Sequence, residues 1–518
     1  MEPQRGFKWI AMGLFFAGSG SASAADGRTF DHLDQSTLLN FINSGNPAAA
    51  FGEAFETGDE LFDHPFNEFD GGGANVGQNW PNGGMIRYTR TPRASLGGPG
   101  EWRNHFPSRA TGPNAQACEE CHNLPVPDGA GGNASNVHRD PLHTGNDFAY
   151  IQRNTPHLFA PGALQQLAEE LTNSLQSQRQ TAINSACAQA VGATVTANLS
   201  NKGVSFGSIS VKHNSGSGAS CNTTVNTASL KGVAADLVVR PFQWKGSVAF
   251  LRDFIRGATH NEIGMQTVET VGAGVDGDGD GVVDELSIGD ETALAVYMAA
   301  QPRPTSSLEL NQLGLLTPAL TAAQITQINR GATAFTSLGC AACHTPSMTL
   351  SNPIYSEPSQ MAAFRDQSFP AGQNPLAEGV DPAKAVKFDL TQDQPDNILR
   401  NPDGTIKFRL GSLRRNGAGL ATVDAFSDLK RHDLGMEVGE PIDEEGTGAS
   451  VFLTKPLWGV GSTAPYMHNG QFPSLTSAIK AHGGEGTAAR TNFNAAPAPT
   501  RDDLLAFLNN LVLFRLPE

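Results

Sequence analysis

The stretch Cys118-Glu119-Glu120-Cys121-His122, with its second copy Cys340-Ala341-Ala342-Cys343-His344, decides how the rest of the chain is read. A C-x-x-C-H string places two thiols to form thioethers with the vinyl groups of one haem. The adjacent histidine then reaches back to the iron as its fixed axial ligand. A lone C-x-x-C has other readings: half a zinc site, a dithiol redox pair, or chance. Both copies carry the histidine directly after the second cysteine, and no further C-x-x-C is left to complete a four-cysteine zinc site. The strings predict two covalently bound c-type haems.

Residues 1–24 read as a secretory signal. Arg5 and Lys8 precede the apolar run Trp9 to Ala17, and Ala22-Ser23-Ala24 offers a small-residue cleavage site. The run is too short to span a membrane, and no later stretch approaches the roughly 20 apolar residues a spanning helix needs. A periplasmic protein is expected, in the compartment where haem is attached to thiols. Four of the six cysteines belong to the haem strings; Cys187 and Cys221 remain, and in an oxidising compartment they form one disulfide closing a surface insertion.

The net charge is −16, and removing Glu2, Arg5 and Lys8 with the signal leaves −17. An acidic surface argues against nucleic acid or anionic lipid as partner and permits a basic electron-donor protein. A chain of 518 residues exceeds one core and suggests two domains plus insertions; 57 Gly and 32 Pro suggest many loops.

From Ala25 to about Gly100 the sequence reads as a wrapping arm with short helices. Pro125 to Asn146 reads as a loop whose His138 and His143 could reach an iron. Gly162 to Ala190 is helix-like, and Ala193 to Val239 shifts to Ser, Thr, Val and Gly in strand-like alternation, bracketed by Cys187 and Cys221. Leu251, Phe254, Ile255 and Ala258 make one apolar helix stripe. Asp276, Asp278, Asp280 and Asp284 have the oxygen spacing of a calcium loop, but Ser287 stands where the usual glutamate would be. Gln301-Pro302-Arg303-Pro304 reads as a linker. Thr321 and Gln324 form a capping box opening a helix that runs into Cys340. Residues 347–420 show no organising pattern, and Asp502 to Phe514 reads as a final core helix.

Thr463-Ala464-Pro465-Tyr466-Met467-His468-Asn469-Gly470, followed by Ser474-Leu475 and Ala478-Ile479, resembles the T-A-P-Y-x-H-D-G segment of bacterial di-haem cytochrome c peroxidases. Trp244-Lys245-Gly246 with Leu251 is similar to W-D-G…L of the same superfamily, and Arg153-Asn154-Thr155-Pro156 to its R-N-x-P. Phe426-Ser427-Asp428-Leu429, His432-Asp433 and Pro456-Leu457-Trp458-Gly459 resemble the di-haem oxidoreductase branch. The superfamily it resembles also contains the di-haem enzyme that matures methylamine dehydrogenase and di-haem rubber oxygenases.

The resemblance implies a mainly α fold: two cytochrome c-like haem domains with long loops and a small β-rich insertion. Residues 25–300 would form the N-terminal peroxidatic domain, with the insertion at about 163–240, and residues 301–518 the electron-transfer domain. His482 stands where the peroxidases have the methionine that is the second ligand of the C-terminal haem, on the face of a helix capped by Ser474. A bis-histidine haem would have a lower potential than one with a thioether ligand. Trp244 corresponds to the tryptophan between the haems. Glu262 is similar to the distal glutamate, although two residues closer to the tryptophan, and Phe254 replaces a glutamine. A calcium ion between the domains would use Asn146 and the carbonyls of Thr463 and Pro465.

The implied reaction is reduction of hydrogen peroxide to water. An open haem on His122, with Glu262 moving a proton, would form high-valent iron, and a closed haem on His344 and His482 would share an electron through Trp244. A small cytochrome or cupredoxin would be the donor. Two alternatives stay open: an oxygenase or protein-modifying oxidase of the same architecture, and a pure electron carrier with both irons closed.

Overall fold

The structure is a computed structural model that describes residues 28–67, 69–72, 115–139, 151–276, 281–365, 376, 379–443 and 445–516. The signal reading, His143, Asn146, Asp278, Asp280 and the side chain of His138 lie outside the described residues.

The helix Ile288–Ala299 is the centre of the larger core, and all twelve of its residues are buried. Ser287 caps it, accepting the Asp290 N–H while Asp290 answers to the Ser287 N–H. Ser287 is therefore committed to a helix start. The helix Pro47–Asp63 lies against this one so closely that a Cβ on Gly58 would come 2.3 Å from the Ala293 carbonyl oxygen. The segment expected as a wrapping arm thus supplies core helices, Gln35–Asn43 and Pro47–Asp63, started by the side chains of Asp34 and Asn46.

The long helix Pro161–Cys187 buries its first half, through Leu164, Leu167, Leu171 and Leu175, in the same core. Its outer end carries the antiparallel meander Thr194–Asn201, Val204–Ser215 and Asn222–Asn226, and Cys187 is bonded to Cys221 as expected. Only the outer part of 163–240 is an appendage.

Helix Leu251–Ala258 follows the predicted stripe. Its back is fixed by a buried guanidinium: Arg252 donates to Glu269 at 2.8 Å, Thr292 at 2.8 Å and Glu357 at 3.2 Å. Removing one partner from such a group typically costs about 3–5 kcal/mol, because the other charge is left buried and unpaired. This anchoring aims Phe254 and Ala258 at the cavity described below.

The smaller core packs helix Ala322–Ser337 on Ala498–Asn509, through Ile328, Phe335, Leu504 and Leu508, with Gly331 set against the Asp503 carbonyl. The Thr321–Gln324 capping box is present. The last helix starts earlier and ends sooner than its apolar spacing suggests, because Leu511–Val512 leaves it to pair with Thr305–Ser306.

Residues 347–420 hold short antiparallel pairs, such as Ile354–Glu357 with Val386–Asp389. Their Tyr355, Phe388, Leu390 and Leu413 join the larger core. The linker Gln301 to Pro304 is buried: the Arg303 N–H donates to Gly411 at 2.8 Å and its guanidinium binds Glu309 at 2.7 Å. The mainly α expectation holds only in part. Helices build both cores, but seven small antiparallel sheets accompany them among the described residues.

Candidate cofactor site

Both C-x-x-C-H strings fold as the same tight turn. The N–H of His122 donates to the Cys118 carbonyl at 3.1 Å, and that of His344 to the Cys340 carbonyl at 3.0 Å. The second turn is launched from helix Ala322–Ser337 through Gly339, whose φ of 93° suits a residue without a side chain. All four motif thiols are unbridged. Burial pushes Cys118 up to about 12 and Cys340 up to about 11, the opposite of the lowered pKa that a dithiol redox pair needs.

The two turns open onto one cavity of about 570 Å³, whose wall includes Cys118, Cys121, His122, Cys340, Cys343 and His344. That volume is in the range of small-molecule and cofactor sites. Each histidine has its Nδ1–H bound to a backbone carbonyl: His122 to Pro156 at 2.9 Å, His344 to Phe426 at 3.0 Å and His482 to Ala478 at 2.8 Å. Such a bond fixes the tautomer and leaves the Nε2 lone pair for a metal. Burial lowers the pKa of all three, to about 4 for His122 and His344, so the rings are neutral.

His482 closes the short helix Leu475–Ala481, started by the Ser474 cap. Its ring centre lies 6.4 Å from that of His344. Two imidazoles holding one metal ion from opposite sides through Nε2, at about 2 Å each, put their ring centres about 6 Å apart. The residues fit a haem with two histidine ligands at the second string.

At the first string the wall is different. Helix Leu251–Ala258 runs into a π-helical turn, Thr259–Ile263, stopped by Gly264 at φ 93°. Turns of this kind recur at functional sites. Glu262 sits in it, half-buried and on the cavity wall beside Phe254 and Ile263, while its carbonyl accepts the Ala115 N–H at 3.0 Å. His157 also lines the cavity, but both its nitrogens are used: Nδ1 accepts from Phe159 at 3.2 Å, and Nε2 bonds the Trp458 carbonyl at 3.0 Å.

Trp244 is on the wall too, half-buried, its indole N–H donating to the Asn154 carbonyl at 2.9 Å. The three short motifs meet around it. Arg153 binds Glu440 at 2.7 Å, Asn154 receives the indole and donates to the Pro465 carbonyl at 2.8 Å, and the Asn154 N–H bonds the His468 carbonyl at 2.6 Å. The Oδ1 atoms of Asn154 and Asn136 are buried without a hydrogen-bond partner. Orphaned amide oxygens beside the Pro465 carbonyl are donors of the kind calcium takes. In the acidic loop, Asp276 accepts the Gly281 N–H and Asp284 the Gly274 N–H, and the described residues hold no metal-binding cluster.

Sequence reasoning placed His432 in a motif but gave it no role. It bridges Asp428 at 2.8 Å and Glu485 at 2.9 Å, tying the loop that holds His344 to the loop after His482. Burial opposes its charge, but the two carboxylates raise it to about 10. The adjacent His432-Asp433 motif was a signal of place, with nothing in it to name the partners.

Residues 417–511 match the family model described as "Di-haem oxidoreductase, putative peroxidase". No curated protein matches the chain. One similar solved structure is titled "Crystal structure of a MauG-like protein associated with microbial copper homeostasis"; it is 14% identical over 57% of this chain and 75% of that one, with a TM-score of 0.25. A likeness that loose carries no argument about the fold. The matched segment contains Phe426 to Leu429, Pro456 to Gly459, Thr463 to Gly470 and His482, so this stretch of the chain is similar to the di-haem oxidoreductases in the residues that carry that resemblance.

Proposed function

We propose that the protein is a periplasmic c-type di-haem peroxidase that reduces hydrogen peroxide to water with electrons from a small donor protein. The observation that carries the reading is a single cavity joining two unlike histidine turns, one paired with His482, and with Glu262 on the same wall.

Bound haem supplies iron that exchanges electrons and, where a coordination position is free, takes a peroxide oxygen. Cys118, Cys121, Cys340 and Cys343 would attach the two groups, and the Nε2 atoms of His122, His344 and His482 would hold the metals. Glu262 would take the proton from the near peroxide oxygen and return it to the far one, so that water leaves. Phe254 and Ile263 line the same cavity as that carboxylate. Trp244, clamped by Asn154, would carry electrons between the sites. Calcium held by Asn146 with the Thr463 and Pro465 carbonyls would brace the same junction, and a second ion at Asp276 to Asp284 belongs to the proposal as well.

Intact mass of the purified protein and absorption spectra before and after hydrogen peroxide test this. Two haems per chain, with one responding to peroxide, are expected. One haem, or two that ignore peroxide, would overturn the reading.

A further inference from the structure

One charged side chain on the cavity wall takes no part in holding any of the three histidines. Lys455 follows the strand Val451–Leu453, whose Leu453 N–H donates to the Trp244 carbonyl at 2.9 Å; the Thr454 N–H donates to Lys430 at 2.8 Å. This pairing carries the ammonium over the indole, with Nζ 5.2 Å from the centre of the Trp244 ring.

The other cations on the wall have carboxylates. Arg153 binds Glu440 at 2.7 Å, Arg490 stands 3.7 Å from Glu437, and His432 lies between Asp428 and Glu485. No described carboxylate lies within ion-pair distance of Lys455, and burial lowers its pKa to about 8 with no group opposing the shift. The face of an indole offsets only part of the cost of taking an ammonium out of water. The missing anion has to come from what fills the cavity, and each haem brings two propionate carboxylates.

We propose that Lys455 is a carboxylate-binding residue of the cofactor cavity, pairing with a haem propionate beside Trp244 and thereby setting the charge around that ring. The inference rests on the di-haem reading. Paired in this way, the ammonium no longer opposes loss of an electron from the indole. An unpaired propionate, in turn, places extra negative charge near its iron and favours the oxidised form.

The test is a spectroelectrochemical titration of wild type, Lys455→Gln and Lys455→Arg, each first weighed for two haems. Wild type lacking two haems would defeat the di-haem reading and leave nothing for Lys455 to bind. With both haems in place, Lys455→Gln is expected to keep the ligation spectra while at least one midpoint potential moves down, and Lys455→Arg to restore it. Lys455→Met, which keeps the apolar stem, serves should the glutamine variant not fold. Potentials in the neutral variant equal to those of wild type would overturn the proposal.

Discussion

The two C-x-x-C-H turns share a backbone hydrogen bond, a neutral histidine and a carbonyl holding its Nδ1–H, yet they face opposite kinds of wall. Across from His344 stands His482, its lone pair free for a metal; the described wall near His122 offers Phe254, Ile263 and a carboxylate. The turn itself is therefore the same at both strings, and the wall that distinguishes them comes from an element far away in sequence. At the second site that element is a seven-residue helix, about two turns long, with a serine cap. At the first it is a π-helical turn held in place by the buried Arg252 cluster.

That contrast can be broken most completely at His482. His482→Gly is expected to make the second site as open as the first, with full loss of its low-spin electron paramagnetic resonance signal and recovery on adding imidazole. An unchanged signal would remove His482 from the metal. A smaller, one-sided effect is expected from Glu262→Gln: both haems and the second site's spectrum stay, while the reaction with peroxide, followed by rapid mixing, slows by about 10²–10⁴-fold. Wild-type speed would leave the first site without its acid–base. The smallest effect sharpens the comparison by sparing both sides. Replacing Cys187 and Cys221 by serine is expected to lower unfolding stability in denaturant by about 2–4 kcal/mol, with neither spectrum changed. A shift in either haem would mean that the meander reaches the cavity.

The parts legible in the sequence were those whose cause is local. The attachment strings, the caps at Thr321 and Ser474, the stripe of Leu251 to Ala258 and the strand alternation around Val204 to Val211 each follow from neighbours a few residues away. The Cys187–Cys221 bond was readable because compartment and elimination left one pairing. Residues 347–420 were opaque because their strands are two to four residues long, too short to show a period, and some of their partners are remote, as with Thr349 and Thr422. Glu262 was placed by resemblance, since an i→i+5 turn breaks the spacing that helix counting relies on. Nothing local in Asp428, His432 and Glu485, or in Lys455 and Trp244, foretells that they meet.

The cavity wall also has a history in time. It draws on residues from Ala115 to Leu508, so it cannot be finished until nearly the whole chain is in place. Contacts between residues so far apart form late, because closing long loops is entropically costly before the contacts reward it. Cys121 ends up 7% exposed. If haem is joined to that sulfur, as proposed, the bond would have to be made on an unfinished chain, before the wall closes.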